Sequence, residues 1–180
     1  NRVTLIFDGA MSHARVYVNG HEAGYWPYGY NSFHLDVTPY VNEGSNQLAV
    51  RLENKPESSR WYPGAGLYRN VHLVVTNDVH IPVWGTQITT PEVTKDYAKV
   101  VMRTEISLPE GAEAKHCKLV TDILNAEGVV VASSEDGIGL YNDRVIEQCI
   151  DVAQPELWSV DSPTLYTAAS KLYYDGELRD

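Results

Sequence analysis

The feature that most constrains this chain is the period of its apolar residues, which is two almost everywhere. Val3, Leu5 and Phe7 alternate with Thr4, Ile6 and Asp8, and Ile6 implies that the second face is partly covered as well. Ala14, Val16 and Val18 follow and run into Asn19-Gly20, the dipeptide best suited to the positive φ angles of a tight hairpin turn. Leu48, Val50 and Leu52 alternate with Gln47, Arg51 and Glu53, and Val71, Leu73 and Val75 form the next run. Gly29, Pro39, Gly44, Pro56, Pro63 and Gly64 punctuate the intervals. No window sustains a 3.6-residue stripe, so the chain reads as all-β.

Composition shifts near Thr76-Asn77-Asp78-Val79, which divides the chain into 1–77 and 78–180. The first part is rich in Tyr, Trp and Gly. The second is a regular series of short strands, expected at Val83–Thr89, Ala98–Ser107, Lys115–Leu124, Val129–Ser134, Arg144–Val152 and Thr164–Tyr174. Such spacing suits a sandwich of about 100 residues with immunoglobulin-like topology, although the Cys…Trp…Cys core of antibody domains is absent. The first part offers only about five strands, whereas a jelly roll uses roughly eight. A half sandwich exposes strand edges and an apolar face, so self-association through those edges is expected. Both ends of the chain read as cut: Asn1 stands where a Met would open an unprocessed chain, and Asp180 follows closely on the hairpin signal Asp175-Gly176.

The formal charge is -10, from 24 acidic against 14 basic residues, and no Lys/Arg run occurs. That excludes a nucleic-acid groove as the expected partner. No apolar stretch approaches the ~18 residues of a helical membrane span. The six histidines are scattered, so no metal ligand set is read from them. Alternation places Cys117 with Leu119 and Ile123 on an inward face. It leaves Cys149 between Glu147 and Asp151 on an outward one, which disfavours a disulfide between them.

Taken in order, several segments resemble family 2 glycoside hydrolases, the family of β-galactosidases and β-glucuronidases. In the first part these are Phe7-Asp8-Gly9, Ala14-x-Val16-Tyr17-Val18-Asn19-Gly20, Gly29-Tyr30-x-x-Phe33-x-Leu35-Asp36-Val37-Thr38, Gly44-x-Asn46-x-Leu48-Ala49-Val50, and Arg60 to Val71. In the second, Pro155-x-Leu157-Trp158-Ser159 leads to Pro163-x-Leu165-Tyr166. The resemblance implies the C-terminal half of a galactose-binding-like, sugar-binding jelly roll followed by an immunoglobulin-like linker sandwich. It also implies a (β/α)8 barrel elsewhere, as the partner of these units. In that barrel two glutamates about 5–5.5 Å apart perform retaining hydrolysis. No catalytic residue, metal ligand or cofactor is therefore expected in this chain, and it is expected to be inactive alone. Its carbohydrate partner would be met through the complete enzyme. The Glu53-Asn54-Lys55-Pro56…Gly66 stretch looks most like bacterial β-galactosidases; β-glucuronidase, β-mannosidase or a free-standing carbohydrate-binding module are the alternatives.

The substrate-adjacent candidates are Ser59, Arg60, Trp61 and Tyr62. Sugars present C–H faces to aromatic rings and hydroxyls to arginine. Two readings stay open for Trp61 and Tyr62, substrate contact or packing against the barrel. Some family members place an Asp where Ser59 stands, contacting galactose and a sodium ion, and a hydroxyl is a weak substitute. Tyr25-Trp26-Pro27-Tyr28-Gly29-Tyr30 reads as an aromatic loop that serves either as an interface or as a carbohydrate platform. Leu157 and Trp158 read as sandwich core or interdomain packing. Asn42-Glu43 copies the family's acid/base dipeptide but sits in a polar turn. Gly64-Ala65-Gly66-Leu67-Tyr68-Arg69 starts like a dinucleotide fingerprint, yet it leads into a strand and supplies no helix N-terminus.

Overall fold

The computed structural model describes residues 1–57, 59–137 and 144–180. The chain divides into two compact units, Asn1–Thr76 and Asn77–Asp180. Among the described residues both are built from antiparallel strands, and the helical segments are two short 3-10 turns, Thr38–Tyr40 and Ala114–His116.

The first unit contains β1 (Arg2–Phe7), β2 (Ala10–Met11), β3 (Ala14–Val18), β4 (His21–Trp26), β5 (Phe33–Asp36), β6 (Leu48–Arg51), β7 (Gly66–Leu67) and β8 (Val71–Thr76). One sheet has the order β5-β1-β8, the other β4-β3-β6, and β2 with β7 forms a small ribbon. Register follows the alternation: Leu5 stands opposite Leu35 and Leu73, and Phe7 opposite Phe33 and Val71. Leu5 and Phe7 thereby meet Ala14, Val16 and Val18 of the facing sheet in one buried cluster. Phe7 and Phe33 stack at 4.8 Å, and Trp26 covers Phe33 at 5.6 Å. Burying each such side chain contributes about 1.5–3 kcal/mol. Asn19 and Gly20 take φ of 52° and 84°, so the β3–β4 turn is the hairpin their pairing demands.

Among the described residues this unit has eight strands where the sequence suggests about five. Two of the additional strands are only two residues long, too short to show alternation. Another, β4, loses its period because the β3–β4 register shifts between Val16 and Tyr17. Gly24 interrupts β4 further, where a Cβ would lie 2.5 Å from the Leu35 side chain. Asn42-Glu43 is a turn, as its polarity implies: the Asn46 amide accepts from Asn42 N–H at 2.7 Å and donates to Asn42 O at 2.9 Å. Among the described residues β8 is an edge strand of one sheet and β6 of the other. Inward-facing Leu48, Val71, Leu73 and Val75 are exposed there. A cleft of about 420 Å³ opens between these edges, lined by Leu5, Val18, Leu48, Val71 and Leu73.

The second unit contains β9 (Thr86–Val93), β10 (Tyr97–Glu105), β11 (Cys117–Leu124), β12 (Val130–Gly137), β13 (Val145–Ala153), β14 (Thr167–Tyr174) and β15 (Glu177–Leu178). Sheets ordered β13-β10-β9 and β12-β11-β14-β15 make an immunoglobulin-like sandwich. Strand starts move where turns intervene: Trp84-Gly85 is a turn closed by Gly85 N–H to Pro82 O, so β9 begins at Thr86. The 3-10 turn through His116 likewise delays β11 to Cys117.

A polar layer interrupts this core. Val79, Ile106, Leu119, Ile146 and Leu172 form one apolar cluster, and Val100, Met102, Ile123, Ile150 and Val152 another. Between them Gln148 and Thr121 are fully buried, with the Thr121 hydroxyl bonded to Gln148 Oε1 at 2.7 Å and to Ser170 at 2.8 Å. Gln148 on β13 also donates to the carbonyls of Leu119 and Ser134 in the opposite sheet, each at 3.3 Å. Cys117 is buried and Cys149 exposed, on the faces their alternation assigns. Leu157 and Trp158 are not core: Trp158 is 59% exposed, and both line an open apolar cleft of about 490 Å³ beside Ile88, Val152 and Tyr166.

Candidate functional site

Three segments far apart in sequence converge in the first unit. Residues 54–57 and 59–63 lie outside the strands, and Asn54 Nδ2 donates to Pro63 O at 3.4 Å. The preceding residue is held by Ser12, whose hydroxyl donates to Glu53 O at 2.8 Å while Glu53 N–H donates to Ser12 O at 2.9 Å. Pro27–Tyr30 leaves the end of β4 as a second loop, and Met11 closes β2 with Ser12 next to it. Between them lies a cleft of about 550 Å³ whose lining includes Met11, Ser12, Tyr28, Tyr30, Ser59, Arg60 and Trp61.

Aromatic groups order this cleft. Trp61 Nε1–H donates to the Tyr30 hydroxyl at 2.8 Å, and the two rings meet edge to face with centroids 6.5 Å apart. Tyr28 stands edge-on to Tyr30 at 5.6 Å. Ser59 Oγ accepts from the Trp61 backbone N–H at 3.5 Å, a local contact two residues along the chain. Trp61 remains 62% exposed, so its indole is anchored at one edge and open on the rest. Tyr62 is fully exposed and lies outside the cleft. Of the four residues singled out from sequence, Ser59, Arg60 and Trp61 are therefore brought together and Tyr62 is not.

In the sequence Tyr28 and Tyr30 stand as a separate cluster, and no local pattern marks Met11 and Ser12. Aromatic density in both loops was the available signal, but a hydrogen bond spanning 31 positions is invisible to local pattern. Tyr25 and Trp26 belong to strand β4 instead of the loop. Tyr25 hydrogen-bonds His13 at 2.7 Å and carries the Arg15 guanidinium over its ring, and Trp26 packs on Phe33.

The chemistry available here is recognition. Among the described residues lining the cleft, Arg60 is the only charged one, and no carboxylate is present. Glycoside hydrolysis requires a pair of carboxyl groups flanking the scissile bond, and this cleft does not hold one. Exposed ring faces, hydroxyls and one guanidinium suit the C–H faces and oxygen atoms of a sugar.

The fold and cleft define the class as a two-unit all-β chain, a partial jelly roll carrying an aromatic cleft and an immunoglobulin-like sandwich. The sequence model for "Glycosyl hydrolases family 2, sugar binding domain" matches residues 1–77, and that for "Glycosyl hydrolases family 2" matches residues 79–180. The chain belongs to glycosyl hydrolase family 2. It is 38% identical over 180 residues to a beta-galactosidase of Bacteroides ovatus, an alignment covering 97% of this chain and 21% of that protein. Its fold superposes on a family 2 member from Bacteroides cellulosilyticus with TM-score 0.92 and 36% identity, over 99% of this chain and 23% of the other. A family 2 beta-glucuronidase structure gives TM-score 0.89 at 27% identity, over 99% and 21% respectively. The chain thus spans about a fifth of the length of the curated relatives it matches, 21% of the Bacteroides ovatus protein.

Proposed function

We propose that this chain is the sugar-facing, non-catalytic front part of a retaining β-galactosidase, with Ser59, Arg60 and Trp61 walling the subsite for the non-reducing sugar. Tyr62, projecting from the same loop, is the group that meets the catalytic barrel of the longer polypeptide. The observation that carries this reading is the convergence of two aromatic loops on a carboxylate-free cleft: it can hold a sugar and cannot cleave one. Similarity to a beta-galactosidase supports galactose as that sugar.

Arg60 favours a second reading. A guanidinium in a cleft without carboxylates suits a uronate carboxylate, which it can grip with two parallel hydrogen bonds. The full-length polypeptide, given nitrophenyl β-galactoside and β-glucuronide, separates the two. The galactoside reading expects turnover of the first; preferential turnover of the second, lost on Arg60→Gln, replaces it with the glucuronide reading. Calorimetry of the 180-residue chain with galactose and lactose is expected to show neither turnover nor tight binding. Saturable micromolar binding there would favour a free-standing carbohydrate-binding module.

A further inference from the structure

We infer that Tyr68 and Arg69, which do not line the cleft, are positioning residues that set its aromatic wall by holding the backbone of the Tyr28–Tyr30 loop. Tyr68 and Arg69 lie between β7 and β8, and each reaches one of two consecutive carbonyls. The Tyr68 hydroxyl donates to Gly29 O at 2.7 Å, and Arg69 Nη1 donates to Tyr30 O at 3.4 Å. Arg69 Nη1 also donates to Asp8 O at 3.3 Å, and the Ser32 hydroxyl reaches the same carbonyl at 3.4 Å. The C-terminal side of the loop, at Tyr30 and Ser32, is thereby referred to Asp8 at the end of β1. Asp8 is itself fixed, its N–H to Asn70 O at 3.0 Å and its carboxylate to His72 Nε2 at 3.0 Å. The Arg69 guanidinium lies 5.1 Å from the Tyr68 ring centroid, so the two side chains orient one another.

Two glycines make this clamp sterically available. A Cβ at Gly9 would lie 2.8 Å from the Tyr68 ring, and one at Gly29 would lie 2.4 Å from Met11 Sδ. The Tyr68 ring therefore rests against bare backbone at Gly9, while Gly29 seats the loop on Met11. From the clamped backbone the restraint passes through the Tyr30 ring, whose hydroxyl accepts from Trp61 Nε1–H. The path is Tyr68 and Arg69 to the 29–30 backbone, then Tyr30, then Trp61. Aromatic groups that bind by shape depend on such pre-positioning, since a loop that must be ordered on binding loses affinity.

The test is hydrogen-exchange mass spectrometry and steady-state kinetics on the full-length polypeptide carrying Tyr68→Phe, which deletes the hydroxyl and keeps the ring beside Gly9. Loss of one hydrogen bond is expected to speed amide exchange about fivefold in segments 28–32 and 59–63, leaving β1 and β3 unchanged. KM is expected to rise about fivefold with kcat within about twofold, the signature of lost ground-state binding. Tyr30→Phe breaks the next link, and the double variant is expected to raise KM no more than the larger single effect, because both act along one path. Unchanged exchange at 59–63 in Tyr68→Phe overturns the inference. The kinetic arm alone rests on the cleft being a sugar subsite: faster exchange in both segments with unaltered KM upholds the clamp and contradicts the subsite.

Discussion

Gln148 shows how much a single residue decides in this molecule. It interrupts an otherwise apolar row, Ile146, Ile150 and Val152, yet sits fully buried with its amide satisfied from the facing sheet. Its partners make the layer specific to one pairing of the two sheets, since a buried amide that slips register is left unpaired. Gln148→Leu roughly keeps the volume and removes the amide's bonds to Thr121 and to the Leu119 and Ser134 carbonyls, leaving Thr121 only Ser170; it is expected to cost about 2 kcal/mol in urea unfolding. The sequence showed the row but gave no sign that its polar member has partners. The cysteines, in contrast, were legible, because alternation alone sorts them. Burial pushes the Cys117 thiol up from its ordinary range, so less of it is thiolate. Cys149 is expected to react with a thiol reagent in the native protein, and Cys117 only in denaturant, as mass spectrometry after timed labelling would show. Equal native rates would mean the face assignment is wrong.

Strands were readable where they alternate and unreadable where a bulge or a two-residue length removes the period. β1, β3, β6 and β8 announced themselves; β2, β4 and β7 did not, and turns at Trp84-Gly85 and His116 displaced the starts of β9 and β11. The β9–β10 hairpin adds an element no pattern displays. Glu92 accepts a short hydrogen bond from the Tyr97 hydroxyl and lies 3.7 Å from Lys99 Nζ, and these hold its carboxyl below the usual 4.5. A carboxyl whose pKa is lowered by folding stabilises the fold above its unfolded value and loses that contribution as pH falls through its folded one. The hairpin is therefore expected to weaken on acidification below 4.5. Glu92→Gln should flatten that part of the urea-midpoint profile, and an unaltered acid slope would show that the pair does not couple to folding.

At the scale of the whole molecule, an all-β chain in two units follows from period and punctuation, while the cleft does not. Its walls come from loops that only the tertiary fold brings together, so Ser59, Arg60 and Trp61 and the Tyr28–Tyr30 cluster could each be suspected from composition, but not their meeting in one cleft. The same scale exposes the apolar side of the first unit. Leu48, Leu73 and Val75 stand uncovered on two edge strands, an arrangement that invites pairing. The isolated 180-residue chain is expected to associate in light scattering, and Leu73→Lys to reduce that association. A monodisperse monomer at high concentration would contradict it.

The central claim is that this non-catalytic chain walls a sugar subsite through Trp61. It is tested most directly by kcat/KM for nitrophenyl β-galactoside in the full-length polypeptide carrying Trp61→Ala, with folding checked by circular dichroism. Loss of one aromatic contact is expected to lower kcat/KM about tenfold, mainly through KM. A folded Trp61→Ala variant with unaltered kcat/KM would contradict the account.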